Sequence, residues 1–201
     1  MRRVFLVLLL IAAGWSGLRD WQHRAVHPPG GMIAPKEPSQ HALDAPVAPM
    51  HVGDYTIQPV ARYDITARLL GREPYYRGRT ADLSPLDFAL GWGPMSDSDV
   101  LDRLELSQSS RFLSFHWREA PIPPELLFAT SSNNHLIPSS RSVRASLDRM
   151  RPGQVVHLRG YLVNVSAPDG WFWHSSTTRA DNGDGACELM WVEDAFVERA
   201  G

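Results

Sequence analysis

The sequence predicts an α+β fold in which a strongly curved antiparallel sheet or small β-barrel carries several short helices. Three observations carry this expectation. The stretch ARYDITARLL alternates Ala61, Tyr63, Ile65, Ala67 and Leu69 with Arg62, Asp64, Thr66 and Arg68, the period of a half-buried strand. The last third reads as a meander: QVVHLRGYLVNV, turn residues from Ala167 to Gly170, WFWHSSTT, a loop from Asp181 to Gly185, then ACELMWVEDAFV. Consecutive strands joined by tight turns pair antiparallel. Gly160, in the middle of one of these strands, marks a bend of the kind a small closed barrel needs.

Taken from the start, Arg2 and Arg3 precede an uninterrupted apolar run from Val4 to Ala13, the layout of an export signal. Extended through Trp15 to Leu18, the run is roughly 15 residues or about 22 Å as a helix, short of a bilayer core of about 30 Å. Residues 1–21 are therefore read as a retained signal-anchor or a cleaved signal peptide. With the anchor retained, residues 4–18 meet the membrane, and the basic N-terminus favours a cytoplasmic start and a periplasmic C-terminal domain. With the signal cleaved, the product is soluble in the periplasm. Residues 22–50 hold Pro28, Pro29, Pro35, Pro38, Pro46 and Pro49 and read as a linker of semi-extended character. Residues 51–201 then form a single domain, for which 43% apolar residues suffice to build a core.

Within that domain Ser84-Pro85 supplies an N-cap and a first-turn proline, so PLDFALGW predicts a short helix ended by Gly93-Pro94. Ser96 or Asp97 caps a second helix through DSDVLDRLEL. RFLSFHW alternates as a strand, and Pro121, Pro123 and Pro124 end it and open one helical turn to Phe128. SSNNHLIPSS reads as a polar loop, after which Val143, Leu147 and Met150 recur at helical spacing behind a cap at Ser142.

Composition narrows the function. A net charge of −2 argues against a nucleic-acid binder, whose affinity rests on many cations meeting phosphates. The lone Cys187 can form no intramolecular disulfide; it is either a small buried hydrophobe of a strand or a reactive thiol. His116, His135, His157 and His174 show no ligand spacing, and the alternate positions from Asp181 fall on Gly183 and Gly185, so no metal and no cofactor is expected. There is no G-x-S-x-G elbow and no S-x-x-K pair, which leans the reading away from an enzyme.

Two sets of binding residues remain. Asn133, Asn134 and His135 either tie down their own loop or turn amide and imidazole groups toward a ligand. Trp171 and Trp173, on one strand, and Trp191, on the expected neighbour, either fill the core or stack on a sugar or peptide. If the protein is a hydrolase, His135 is the candidate base, with Asp181 or Glu188 as its acidic partner.

The stretches ARYDITARLLGRE, LSPLDFALGWGPMSD, SSNNHLIPSS, GYLVNV, DGWFWHSSTTR and GDGACELMWVE, in collinear order over residues 55–194, resemble a family of uncharacterised bacterial proteins, exported or membrane-anchored. The resemblance implies a location and no activity. GQVVHLRGYLV is similar to a strand of OB-type barrels, an analogy of fold that does not fix function. The leading expectation is a binding or assembly module of the cell envelope, at the bacterial inner membrane, with an envelope protein or glycan as partner. The alternatives are a cell-envelope hydrolase and a purely structural envelope component; oligomeric state is not legible.

Overall fold

A computed structural model describes residues 24–178 and 186–198. The fold is mixed α+β and mostly strand. Ten strands are present among the described residues: β1 (Ser39–Ala42), β2 (Met50–Val52), β3 (Tyr55–Pro74), β4 (Leu86–Gly91), β5 (Glu105–Ser109), β6 (Phe112–His116), β7 (Ser131–Pro138), β8 (Val155–Ser166), β9 (Phe172–Trp173) and β10 (Glu188–Val197). Four short α-helices accompany them: α1 (Arg79–Leu83), α2 (Ser98–Leu101), α3 (Pro124–Ala129) and α4 (Arg141–Arg149). Eight strands make one curved sheet, while β5 and β6 form a separate hairpin.

The long strand β3 organises the sheet. Its first part pairs with β8 and its last part with β4, both antiparallel, and β4 continues through β7 and β10 to β8. The succession β3, β4, β7, β10, β8 therefore returns to β3; within it only β7 and β10 run parallel. Register shifts between Pro59 and Ala61 and between Leu69 and Gly71 let β3 bend from one partner to the other. The alternation read from the sequence is kept, because Ala61, Tyr63, Ile65, Ala67 and Leu69 are all buried. They meet Leu86, Phe88, Leu90, Leu136, Leu158, Leu162 and Met190 in the main core. At Gly160 the backbone of β10 comes so close that any Cβ would strike the carbonyl oxygen of Trp191, and β10 shifts register just beyond, between Val192 and Asp194.

The structure corrects several expectations. PLDFALGW is not a helix: residues 86–91 form β4, and a 3-10 turn follows over Gly93–Ser96. An N-cap contributes about 1 kcal/mol, whereas burying Leu86, Phe88 and Leu90 on one face of a strand contributes about 1.5–3 kcal/mol each. The second expected helix is cut to α2, capped by the Asp97 carboxylate accepting from the Asp99 amide at 2.9 Å, and its LEL residues pass into β5. SSNNHLIP is not a loop but β7, held by β4 on one side and β10 on the other. Helix α4 is capped by Ser140, not Ser142.

The proline-rich stretch expected as a spacer lies against the sheet in its described part. β1 and β2 both pair with β3, extended edge positions that proline neighbours tolerate. Upstream, the Val26 amide donates to Pro152 O at 2.7 Å, and Ala34 is buried with its amide on Ser96 Oγ at 3.1 Å. The buried Arg68 joins this network through Nη1, which donates to Ser96 O at 3.1 Å and to Ser98 Oγ at 2.9 Å. Burial draws its pKa down, and the nearby Asp102 and Asp97 oppose that shift. Among the described residues no helix is long and apolar enough to cross a membrane; residues 4–18 lie outside them.

Candidate functional site

Faces alternate along a strand, so β4 turns Leu86, Phe88 and Leu90 to the main core and Asp87 and Ala89 to the other side. Asp87 stands directly across from His135 of β7. Both are buried, and the hairpin β5–β6 reaches Asp87 with its tip. Its tip is a two-residue turn, Ser110-Arg111, with φ of 51° and 73°. Hairpins favour positive φ at both turn positions but ordinarily place Asn and Gly there. Ser and Arg in this region cost about 1–2 kcal/mol each.

What holds the tip is Arg111. Its Nη1 donates to Asp87 Oδ1 at 2.5 Å and Ser84 Oγ at 3.3 Å, and its Nη2 donates to Ser84 O at 2.8 Å. The guanidinium lies 3.7 Å from the centre of the Tyr75 ring and 5.5 Å from that of Trp173. Its backbone is fixed as well: the Arg111 amide donates to Tyr75 Oη at 2.8 Å, and its carbonyl accepts from Asn133 Nδ2 at 2.8 Å. Gln108 Nε2 donates to Asn133 Oδ1 at 2.7 Å, tying the body of the hairpin to β7. Charge-assisted hydrogen bonds contribute about 1.5–3 kcal/mol each, enough to offset the strained turn.

The far side of the carboxylate is less well satisfied. Asp87 Oδ2 lies 3.0 Å from His135 Nδ1, yet neither atom has an aligned hydrogen-bond partner. Trp173 covers the imidazole, ring centres 5.0 Å apart. The Tyr75 phenol is pushed up to about 12, first by burial and then by the Asp87 charge. The site thus pairs a buried carboxylate with an imidazole and a guanidinium between aromatic walls.

Of the residues singled out in the sequence, Asn133, His135 and Trp173 come together here. Asn134 faces the opposite side of β7, fully buried, donating to Ser132 Oγ at 2.7 Å with its own Oδ1 unmatched. Glu188 pairs with Asn134 in register, whereas His135 pairs with Leu189, so Glu188 is on the wrong face to serve His135. Asp181 lies outside the described residues. The acidic partner of His135 is instead Asp87. Cys187 is half-buried near the hairpin tip, its Sγ 3.6 Å from Arg111 O and 3.8 Å from Asn133 Nδ2. Sequence reading missed Asp87, Arg111, Tyr75, Ser84 and Gln108. The one available signal was Asp87, a lone acid inside the apolar run LDFAL.

Trp171 belongs to a neighbouring arrangement. Arg79 of α1 forms a two-pronged ion pair with Asp169, at 2.6 and 2.8 Å, and lies over the rings of Trp171 at 4.6 Å and Tyr55 at 5.5 Å. The Asp169 carboxyl is held well below its usual range, at about 2, by the Arg79 guanidinium first and by the Trp171 amide second. A cleft of about 530 Å3 opens beside it, lined by Asp54, Tyr55, Arg79, Asp82, Pro168 and Asp169 among others. β9 pairs with β8 rather than β10, and Trp171, Trp173 and Trp191 all pack on the second hydrophobic cluster around Ile57, Ile137 and Leu189. Among the described residues no group of three or more His, Cys, Asp or Glu could hold a metal ion. No family model, curated protein or solved structure matches the chain.

Proposed function

We propose that the chain is a binding module whose ligand face is the side of β4 and β7 turned away from the main core. The observation that carries this is the convergence of Asp87, His135, Arg111, Tyr75 and Trp173 on one face. Small-molecule and peptide sites combine aromatic walls with a few converging polar groups, and these residues supply both. The strand succession supports an OB-like barrel: five strands in ring order, the third and fifth parallel, with a helix between the third and fourth. In that fold the second and third strands and the loops after the first and fourth carry the ligand. Here these are β4, β7, residues 75–85 and, among the described residues, 167–178.

The sequence adds the setting. Arg2, Arg3 and the apolar run behind them support a domain held at the outer face of a bacterial inner membrane through residues 4–18, or released there after cleavage. The partner in that reading is an envelope protein or glycan. Backbone amide spectra of the full-length chain titrated with envelope glycan fragments and peptides test it: a ligand should shift Asp87, His135 and Trp173. A ligand that shifts only the β3–β8 face overturns the assignment.

One observation favours a second reading, a cell-envelope hydrolase. A carboxylate hydrogen-bonded to Nδ1 orients an imidazole so that Nε2 can act as a base, and Asp87 Oδ2 stands within hydrogen-bonding distance, 3.0 Å, of His135 Nδ1. Hydrolysis lost in both His135→Ala and Asp87→Asn, with binding of the same substrate retained, would favour the enzyme.

A further inference from the structure

We propose that Ser84, Asp87, Tyr75 and Trp173 form a guanidinium-recognition pocket, filled in this state by Arg111, and that its ligand is a guanidinium-bearing molecule that displaces the hairpin tip. The inference deepens the binding-face reading above and rests on it.

All the groups that hold the Arg111 guanidinium lie outside the hairpin that delivers it. Ser84 precedes β4, Asp87 is on β4, Tyr75 follows β3, and Trp173 is on β9. Together they are a carboxylate, a carbonyl oxygen and aromatic faces, the features that recognise a planar cation with donors at its edge. The hairpin itself stands outside the main sheet, and it reaches the pocket with two residues other than glycine at positive φ. Such strain persists only where contacts hold it in place, and it collects at ligand clamps and switches.

Arg111 also leaves the pocket incompletely used. Its two nitrogens are split between Asp87 Oδ1 and Ser84, and the buried Asp87 Oδ2, 3.0 Å from His135 Nδ1, takes part in no aligned hydrogen bond. A guanidinium free of the hairpin can take both carboxylate oxygens in the two-pronged geometry such pairs prefer. Arg111 is then a tethered competitor, and its tether keeps the pocket closed until a ligand is supplied.

The test uses the full-length chain, wild type and Arg111→Ala, with three probes: acetyl-Gly-Arg-Gly-amide, acetyl-Gly-Lys-Gly-amide and free L-arginine. Binding is followed by tryptophan fluorescence. Arg111→Ala should bind the arginine tripeptide at least about tenfold more tightly than wild type does, and should not bind the lysine tripeptide comparably. In wild type the arginine probe should speed hydrogen exchange at the Arg111 amide, now bonded to Tyr75. Binding of free arginine alone assigns the amino acid as ligand; binding of the tripeptide assigns an arginine of a polypeptide. If Arg111→Ala does not fold, Arg111→Lys, which keeps the charge and loses the fork, should show the same preference. Equal binding of lysine and arginine, or no arginine binding with the hairpin amides still protected, overturns the proposal. Should other ligands then shift Asp87 and His135 while arginine does not, the binding face stands and only its guanidinium chemistry falls.

Discussion

Asp87 and His135 face each other directly across the β4–β7 ladder, and Asp87 Oδ2 stands 3.0 Å from His135 Nδ1 while Oδ1 takes the Arg111 guanidinium at 2.5 Å. One fully buried carboxylate therefore binds a guanidinium through one oxygen and adjoins an imidazole with the other. Removing it strands the guanidinium. Asp87→Ala is expected to destabilise the fold by about 3–5 kcal/mol, the range for breaking one side of a buried ion pair. His135→Ala should cost less, about 1–3 kcal/mol. In a double-mutant cycle by denaturant unfolding, Arg111→Ala should cost clearly less in the Asp87→Ala background than in wild type. Strict additivity would mean that the guanidinium draws nothing from Asp87.

The turn at Ser110-Arg111 offers a prediction of opposite sign. Ser110 has φ of 51°, a conformation Asn adopts far more readily than Ser. Ser110→Asn leaves the Arg111 anchor in place and should stabilise the protein by about 0.5–1 kcal/mol. A thermal midpoint unchanged or lowered in this variant would show that the turn carries no recoverable strain.

How much of this could be read from the chain differs from strand to strand. The β3 alternation survives because that stretch is buried on one face and wetter on the other, so its pattern and its environment agree. In β4 every residue is buried, which erases the contrast between faces and leaves the local Ser84-Pro85 signal to suggest a helix. β7 fails for the converse reason. Ser, Asn and His favour turns locally, and only the flanking strands and distant partners such as Gln108 and Arg111 make a strand of them. Arg111 itself gives no local sign of its role, because its partners Tyr75, Ser84 and Asp87 are all more than twenty positions away. The site is built from long-range pairs, and periodicity reports only on neighbours.

The Tyr75 phenol gives a prediction in alkali. Its folded pKa is raised from the ordinary 10.0 to about 12, by burial first and the Asp87 charge second. A raised pKa means that the native state favours the neutral phenol. The resulting stability is fully present below pH 10 and is lost as pH rises toward about 12. Absorbance titration of phenolate formation should show a step toward pH 12, and Tyr75→Phe should remove it. Loss of an earlier step instead would place Tyr75 in water.

The Arg79–Asp169 pair makes the matching prediction in acid. Its two-pronged contact joins α1 to the turn before β9, with Trp171 and Tyr55 under the guanidinium. The Asp169 carboxyl is depressed from 3.8 to about 2, by the Arg79 hydrogen bond before the Trp171 amide. A depressed pKa means that the native state favours the carboxylate, so the contribution is present above pH 3.8 and is lost as pH falls through about 2. Both groups are open to solvent, and exposed pairs contribute little in salt, so the effect should be read site by site rather than as a melting shift. The Asp169 carboxyl carbon shift, followed from pH 5 downward, should show titration well below 3.8, and Arg79→Ala should raise it toward that value. If Asp169 titrates near 3.8 in wild type, the α1 clamp is not formed in solution, and the Tyr55–Trp171 wall beside the cleft must be held by ring packing alone.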